Sequence, residues 1–154
     1  MQGPPTVPLE RDALLARVNS YAPYTGAEIR VTELDLKAGL VRVEMGLSES
    51  NANLVGTQFG GSLYSMVDPH LMILLMSQLG PDFVVWDKSA TIEFLRPGTG
   101  PVHATIRVTE EEVAELREAA AGEDPVFPSF TLDILNAAGK RVATVTKTLW
   151  VKRR

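Results

Sequence analysis

The stretch Asn53–Asp68, NLVGTQFGGSLYSMVD, combines a polar asparagine, a glycine-rich turn and a carboxylate inside an apolar helical pattern. Gly60 and Gly61 interrupt the chain, and in the helical pattern that follows, Ser62–Leu79, Asp68 carries the only formal charge. A carboxylate buried in such a helix is costly unless it is paired or used in chemistry. The stretch therefore predicts a central helix that carries a functional side chain.

The spacing of this stretch brings its polar groups to one side of the predicted helix. Gly61 and Asp68 are seven residues apart, which at about 3.6 residues per turn leaves them on nearly the same face, with Tyr64 and Ser65. Free N–H groups at a helix start can hold a carbonyl oxygen or an oxyanion, and glycines let a substrate approach them. Asp68 further along could activate water or attack. This pattern suits acyl transfer.

A resemblance to a known superfamily follows from these residues. Asn53, Gly56, the pair Gly60–Gly61 and Asp68 resemble the N-x-x-G-x-x-H-G-G-…-D signature of hotdog-fold acyl-CoA thioesterases of the phenylacetyl-CoA type. The segment Ala90–Gly98, ATIEFLRPG, is similar to the central strand of that fold. The resemblance implies a homodimer or a dimer of dimers with its sites at the dimer interface. It also implies that an acyl-CoA or related thioester is the partner.

The resemblance assigns roles to the residues that match it. The thioester carbonyl would be held by the backbone N–H of Gly60 or Gly61 with help from Asn53, and Asp68 would act as general base or nucleophile. Ser65 shares the helix face of Asp68 and is taken as a substrate-binding residue.

Two positions depart from the superfamily pattern. Phe59 stands where the signature has its histidine, so any part of that histidine in orienting the thioester is missing. Asp87 falls near the position at which many relatives have a serine or threonine facing the active site. It belongs to the segment Trp86–Lys88, which is similar to an uncharacterised branch of the superfamily. Phe59 and Tyr64, with nearby methionines, suggest an apolar pocket that suits aliphatic or aryl acyl groups.

The composition excludes several classes of protein and site. A chain of 154 residues, 45% hydrophobic, fits one domain over 1–154, with an N-terminal arm at 1–8. The absence of cysteine excludes disulfides, zinc–thiolate sites and a cysteine nucleophile. The formal charge of −4 argues against nucleic acid as a partner. The apolar run Leu71–Met76 is too short to span a bilayer. We therefore expect a cytoplasmic protein with no cofactor, no metal and no membrane contact.

The hydrophobic periodicity predicts an α+β hotdog fold, with a long central helix wrapped by a mainly antiparallel sheet of about six strands. The predicted helices are Pro8–Ser20, Ser62–Leu79 and a capped helix from Thr109 to near Gly122. The predicted strands are Glu28–Leu36, Leu40–Leu47, Val84–Leu95, Val102–Val108, Phe127–Leu135 and Arg141–Val151. Pro69 predicts a kink directly after Asp68, either as a plain bend or to direct Asp68 into a pocket.

Each candidate residue also has a structural interpretation. Asp68 could form an ion pair across a dimer, Asn53 could be a turn or cap residue, and Asp87 could join Asp68 or pair with Lys88 or a partner arginine. The two histidines, His70 and His103, give no Ser-His-Asp arrangement. A basic set could contact the phosphates of coenzyme A or remain solvated: Arg141, Lys147, Lys152, Arg153 and Arg154.

The sequence thus favours an acyl-CoA thioesterase in which a carboxylate assists the attack of water. The alternative is a non-catalytic acyl-CoA or fatty-acyl binding hotdog dimer, which Phe59 in place of histidine favours. A hotdog dehydratase is a third and weaker hypothesis, because such enzymes rely on a histidine that this chain lacks at Phe59.

Overall fold

The computed structural model describes residues 10–154. Its helices are α1 Arg11–Ser20, α2 Ala22–Ala27, α3 Gly60–Ser65, α4 His70–Leu79 and α5 Glu110–Ala119. Its strands are β1 Ile29–Asp35, β2 Leu40–Met45, β3 Phe83–Phe94, β4 Val102–Arg107, β5 Ser129–Asn136 and β6 Arg141–Arg153. The predicted arm at 1–8, and Pro8 as the start of the first helix, lie outside the described residues.

The six strands form one antiparallel sheet in the order β1-β2-β4-β5-β6-β3. Alternate residues of the strands face the helices, as the period of two in Val41, Val43 and Met45 predicts, and these three are buried. They join the apolar side chains of α4 in one continuous core. The predicted strand ends agree with the structure to within two residues.

The central helical segment consists of two helices where one kinked helix was predicted. α3 begins at Gly60, and a turn over Met66–Pro69, here called the α3–α4 junction, separates it from α4. Proline cannot donate a backbone N–H and its ring clashes with the preceding turn, so the first helix ends before it. Pro69 then lies at the start of α4. Asp68 is therefore in the junction, outside regular helix.

Two helices differ from the sequence prediction. α2, APYTGA, was not predicted because it is short and contains a glycine, yet its proline lies in the first turn, where proline is tolerated. It brings Tyr24 into the core. α5 has the predicted capping box between Thr109 and Glu112 but ends at Ala119, before Gly122. None of the helices within residues 10–154 is long and apolar enough to cross a membrane.

Among the strands of residues 10–154, β3 lies at the end of the sheet and pairs only with β6. Its register shifts between Asp87 and Ser89, so Lys88 is the extra residue of a β-bulge. Residues directly opposite each other on paired strands share a face. Before the bulge the odd-numbered residues, such as Asp87, face the helices. After the bulge the even-numbered residues, such as Ala90 and Phe94, face them.

Candidate active site

Asp68 at the α3–α4 junction is held through one carboxylate oxygen. Its Oδ1 accepts a hydrogen bond from the Tyr64 hydroxyl at 2.8 Å and one from Lys147 Nζ, also at 2.8 Å. Its Oδ2 has no hydrogen-bond partner among the residues that the structure describes, and the side chain is 46% exposed. Asp68 therefore combines a fixed orientation with a free, solvent-accessible oxygen.

Lys147 on β6 anchors this arrangement from inside the protein. Its side chain is 0% exposed and lies on the strand face that also carries Val145 and Leu149, both fully buried. Nζ donates to Asp68 Oδ1 and to the main-chain carbonyl of Asp68, and it forms an ion pair with Asp87 Oδ2 at 3.0 Å. The charge of Lys147 is thus paired with two carboxylates.

Asp87 is the second carboxylate on Lys147. It precedes the β3 bulge, and its side chain is 34% exposed. Burial raises the pKa of the Asp87 carboxyl, while the hydrogen bond and the charge of Lys147 act in the opposite direction. Asp87 does not form the alternative pair with Lys88 within the described residues: its ion pair is with Lys147, and Lys88 Nζ lies 4.8 Å from the centre of the Phe127 ring. The structure thus brings Asp68 and Asp87 together through one lysine.

Tyr64, a predicted substrate-binding residue, contacts this group directly. Its ring centre lies 5.7 Å from Lys147 Nζ, and its hydroxyl bonds Asp68. Burial, together with the hydrogen bond to Asp68, raises the pKa of the Tyr64 hydroxyl. It therefore remains a neutral donor at ordinary pH. We refer to Asp68, Asp87, Lys147 and Tyr64 as the lysine cluster.

A second polar group, the Tyr24–His70 cluster, meets the same junction. The Tyr24 hydroxyl lies 2.7 Å from His70 Nε2 and donates to the main-chain carbonyl of Met66 at 3.2 Å. Both side chains are buried, and burial lowers the pKa of His70 to about 4. His70 bonds Tyr24 and makes no hydrogen bond to Asp68, in line with the helical geometry.

The start of α3 offers two backbone N–H groups. Those of Gly60 and Gly61 have no acceptor within residues 10–154, and the Ser65 hydroxyl donates back to the Gly61 carbonyl at 2.8 Å. A Cβ at Gly60 would lie 2.9 Å from the Phe94 ring, and one at Gly61 would lie 2.6 Å from the Phe59 ring. A close approach to these glycines was predicted, and within the single chain the rings of Phe94 and Phe59 make it.

Asn53 organises the loop before α3. Its amide nitrogen donates to Thr57 Oγ1 at 2.8 Å and to the Gln58 carbonyl at 3.4 Å, while its Oδ1 accepts from two backbone N–H groups. These contacts fit the turn interpretation of Asn53. A cleft of about 480 Å³ adjoins Asn53 and Gly60, and within the described part of the chain Asp68 does not line it. Within a single chain, therefore, Asn53 and Asp68 do not line the same cleft.

The structure corrects the prediction that a basic set including Lys147 and Arg154 contacts the phosphates of coenzyme A. Lys147 cannot belong to a surface for coenzyme A phosphates, because its side chain is buried against Asp68 and Asp87. Arg154 donates through Nε to the Pro81 carbonyl at 2.9 Å. No group of three or more His, Cys, Asp or Glu within residues 10–154 is arranged to hold a metal ion.

The sequence did contain a signal for the role of Lys147. In β6, RVATVTKTLWVKR, the period of two places Lys147 in the same row as Ala143, Val145, Leu149 and Val151. A lysine in a buried apolar row requires an anion. Asp68, the lone charge of the central helical pattern, was the natural candidate.

The chain resembles known proteins in sequence pattern and in fold. The family described as "Domain of unknown function (DUF4442)" has a model that matches residues 11–151. No curated protein matches the sequence.

Similar solved structures include a Pseudomonas aeruginosa protein of unknown function described as a probable thioesterase, with a TM-score of 0.78 and 20% identity, covering 91% of this chain and 93% of that one. The thioesterase HI1161 from Haemophilus influenzae gives a TM-score of 0.68 at 16% identity over 97% and 93% of the two chains. The PaaI protein from the E. coli phenylacetic acid degradation operon gives a TM-score of 0.62 at 23% identity over 90% and 88%. These matches confirm the α+β hotdog fold.

Proposed function

The chain belongs to this family of unknown function, DUF4442, so its activity has to be inferred from its own side chains, and we propose that it is an acyl-CoA thioesterase. The observation that carries the proposal is the Asp68 carboxylate, held at Oδ1 by Lys147 and Tyr64 and free at Oδ2. An oriented carboxylate with one free, exposed oxygen meets the requirement for a general base or a nucleophile. The hotdog neighbours described as thioesterases add support at the level of fold.

In the proposed reaction, Asp68 Oδ2 takes a proton from water, and the resulting hydroxide adds to the thioester carbonyl carbon. The backbone N–H of Gly60 or Gly61 stabilises the oxyanion, and Asn53 contributes by fixing the loop that ends at α3. The C–S bond then breaks, and the proton returns from Asp68 to the leaving thiolate. A positioned base contributes about 10²–10⁴ in rate and one oxyanion donor about 10²–10³. Direct attack by Asp68 on the carbonyl is the alternative.

The spacing of Asn53 and Asp68 also supports this assignment. Two of the matched structures are variants of one Staphylococcus aureus protein, SAV0944, described in one of them as a thioesterase enzyme. The substituted residues are a glutamine and a glutamate fifteen positions apart. Asn53 and Asp68 are an amide and a carboxylate with the same separation.

A second copy of the chain is part of the proposal. β3 is a twelve-residue edge strand whose outer side has no partner strand within residues 10–154, and it exposes Trp86 and Phe94. A long edge strand with exposed apolar side chains is a template for pairing with another chain. Pairing of two β3 strands would cover these side chains. It would also allow the start of α3 in one copy to meet Asp68 of the other.

The substrate pocket is expected along the apolar side chains near the start of α3. Phe59 is 55% exposed and Phe94 is 59% exposed, while Leu63 is buried beside the cleft. Such side chains would accept an aliphatic or aryl acyl group by burying apolar surface. Ser65 remains a candidate for substrate contact, although its hydroxyl already bonds the Gly61 carbonyl.

The test follows thiol release from short, medium, long and aryl acyl-CoAs. Asp68→Asn should lower turnover by about 10²–10⁴, since it removes the base. Lys147 keeps Asp87 as its anion in this variant, so the fold should persist. Asp124→Asn removes the same charge from the exposed loop after α5 and should hydrolyse at the wild-type rate. Wild-type turnover by Asp68→Asn would contradict the proposal.

The second candidate function is non-catalytic binding of an acyl-CoA. It is favoured by Phe59, which replaces the histidine of the signature and exposes its ring beside Gly61. Saturable binding of acyl-CoA by the wild-type protein without thiol release from any thioester in the panel would select it.

A further inference from the structure

Lys147 has one more anion than it needs. It lies in fully buried surroundings, bonded to both Asp68 and Asp87, so that the three groups together carry one negative charge. A buried ammonium is strongly unfavourable without a paired anion, but one carboxylate is enough to neutralise it. The second carboxylate faces Lys147 by the normal alternation of β3, directly before the bulge in that strand, and bulges are common beside functional sites.

The second carboxylate on Lys147 becomes important during the proposed reaction. Each time Asp68 Oδ2 accepts a proton from water, the Asp68 side chain becomes neutral. Lys147 would then be a buried cation without an anion if Asp68 were its only partner. Asp87 Oδ2, 3.0 Å from Lys147 Nζ, is the group that prevents this.

We propose that Asp87 is a positioning residue, which keeps Lys147 charged and in place while Asp68 holds the proton taken from water. This inference rests on the proposed function, since it assigns Asp68 the role of base. The proton moves from water to Asp68 Oδ2 and then to the departing thiolate. Lys147 and Asp87 exchange no proton. They hold Asp68 Oδ1 in the same position throughout.

Other ionisable groups face Asp68 from the surrounding elements, and their charges do not replace that of Asp87. They are Tyr64 of α3, His70 of α4, Tyr24 of α2, and Tyr21, which directly precedes α2. Burial raises the pKa of each tyrosine and lowers that of His70 to about 4, so all four are neutral at pH 7. Within residues 10–154, Lys147 and Asp87 are the charged groups that join Asp68 in this cluster.

The first experiment observes Lys147 without any substrate. Asp68→Asn imitates the protonated form of Asp68, because its side chain is neutral and of the same size. In ¹⁵N-lysine-labelled protein at pH 7 and low temperature, a buried, hydrogen-bonded ammonium gives a slowly exchanging signal that Lys147→Met identifies by its loss. We expect this signal in the wild type, in Asp68→Asn and in Asp87→Asn. We expect its loss in the double variant Asp68→Asn/Asp87→Asn. Asp124→Asn is the charge-matched control for the two single variants and should keep the signal.

The second experiment measures steady-state kinetics over pH. Asp87→Asn should lower kcat by roughly tenfold and leave KM within about twofold, because the missing anion is needed only once Asp68 is protonated. The acid limb of its pH–rate profile should move to lower pH, since a negative charge beside Asp68 is gone. Lys147→Met should move the limb to higher pH. Asp87→Glu, which keeps the charge, should recover most of kcat.

The results separate this inference from the proposed function. Loss of the ammonium signal in Asp68→Asn alone, or its survival in the double variant, would overturn the role of Asp87. Shifts of the two acid limbs in the same direction would do so as well. If the wild type releases no thiol from any acyl-CoA while the ammonium pattern holds, the proposed function fails and the charge pairing stands as a purely structural feature.

Discussion

Two polar clusters meet at the α3–α4 junction, and they differ in their access to solvent. The lysine cluster is charged, its two carboxylates are partly exposed, and Asp68 Oδ2 has no hydrogen-bond partner within residues 10–154. The Tyr24–His70 cluster is neutral and fully buried, and its hydroxyl and imidazole groups bond each other. Both use long-range hydrogen bonds to fix the same turn. The difference lies in the exposed, unpaired carboxylate oxygen, which is the property that the proposed function requires of Asp68.

The two clusters also differ in what they can tolerate. The lysine cluster contains a surplus carboxylate, so one of the two can become neutral while Lys147 stays paired. The Tyr24–His70 cluster has no surplus, because the Tyr24 hydroxyl serves both His70 and the Met66 carbonyl. We therefore expect the first cluster to survive single substitutions and the second to be sensitive to them.

The largest expected effect is the removal of both carboxylates of the lysine cluster. Asp68→Asn/Asp87→Asn leaves a buried ammonium without an anion and should lower the free energy of unfolding by about 3–5 kcal/mol in urea titrations. Adding Lys147→Met should recover much of the loss, because an apolar side chain suits the row that holds Val145 and Leu149. If the double variant is as stable as the wild type, the Lys147 ammonium does not stay buried without a paired anion.

The neutral cluster should make stability depend on pH. The pKa of His70 is lowered to about 4 from a reference value of 6.5, so between these values the unfolded chain binds a proton that the folded chain does not. The free energy of unfolding should therefore fall as pH drops from about 6.5 to about 4, by up to about 3 kcal/mol. Urea titrations across this range should show a shallower fall for His70→Gln. An equal change in His103→Gln would argue against His70 as the source.

A smaller effect is expected from the Tyr24 hydroxyl. Tyr24→Phe leaves His70 and the Met66 carbonyl without their partner and should cost about 1–3 kcal/mol of stability. Turnover measured below the unfolding transition should stay within a few-fold of wild type, since Tyr24 does not contact Asp68. Tyr21→Phe is the matched control, because the Tyr21 ring packs 4.9 Å from the Tyr24 ring. If Tyr24→Phe loses turnover but not stability, the Tyr24–His70 cluster takes part in the reaction and is not a purely structural group.

Prediction from the sequence succeeded where local pattern decides structure. The strand ends and the capping box of α5 depend on neighbouring residues, and they were predicted. At Pro69 a kink was predicted, and the structure has a full interruption between two helices. α2 was missed because a six-residue helix with proline and glycine has weak local preference and depends on burial of Tyr24. The contacts of Asn53 are local as well, and the turn interpretation anticipated them.

What the sequence determined by itself is the sheet of alternating strands, the apolar central segment broken at Pro69, and a lone carboxylate within it. Hydrophobic periods and proline geometry act within a few residues, so they can be read without a structure. Only the tertiary structure decided which groups hold Asp68. Lys147 reaches it across 79 positions of the chain, and Asp87 joins them from the edge strand β3. Such meetings depend on register and packing across the sheet, because Coulomb and hydrogen-bond interactions follow distance in space and not separation in sequence.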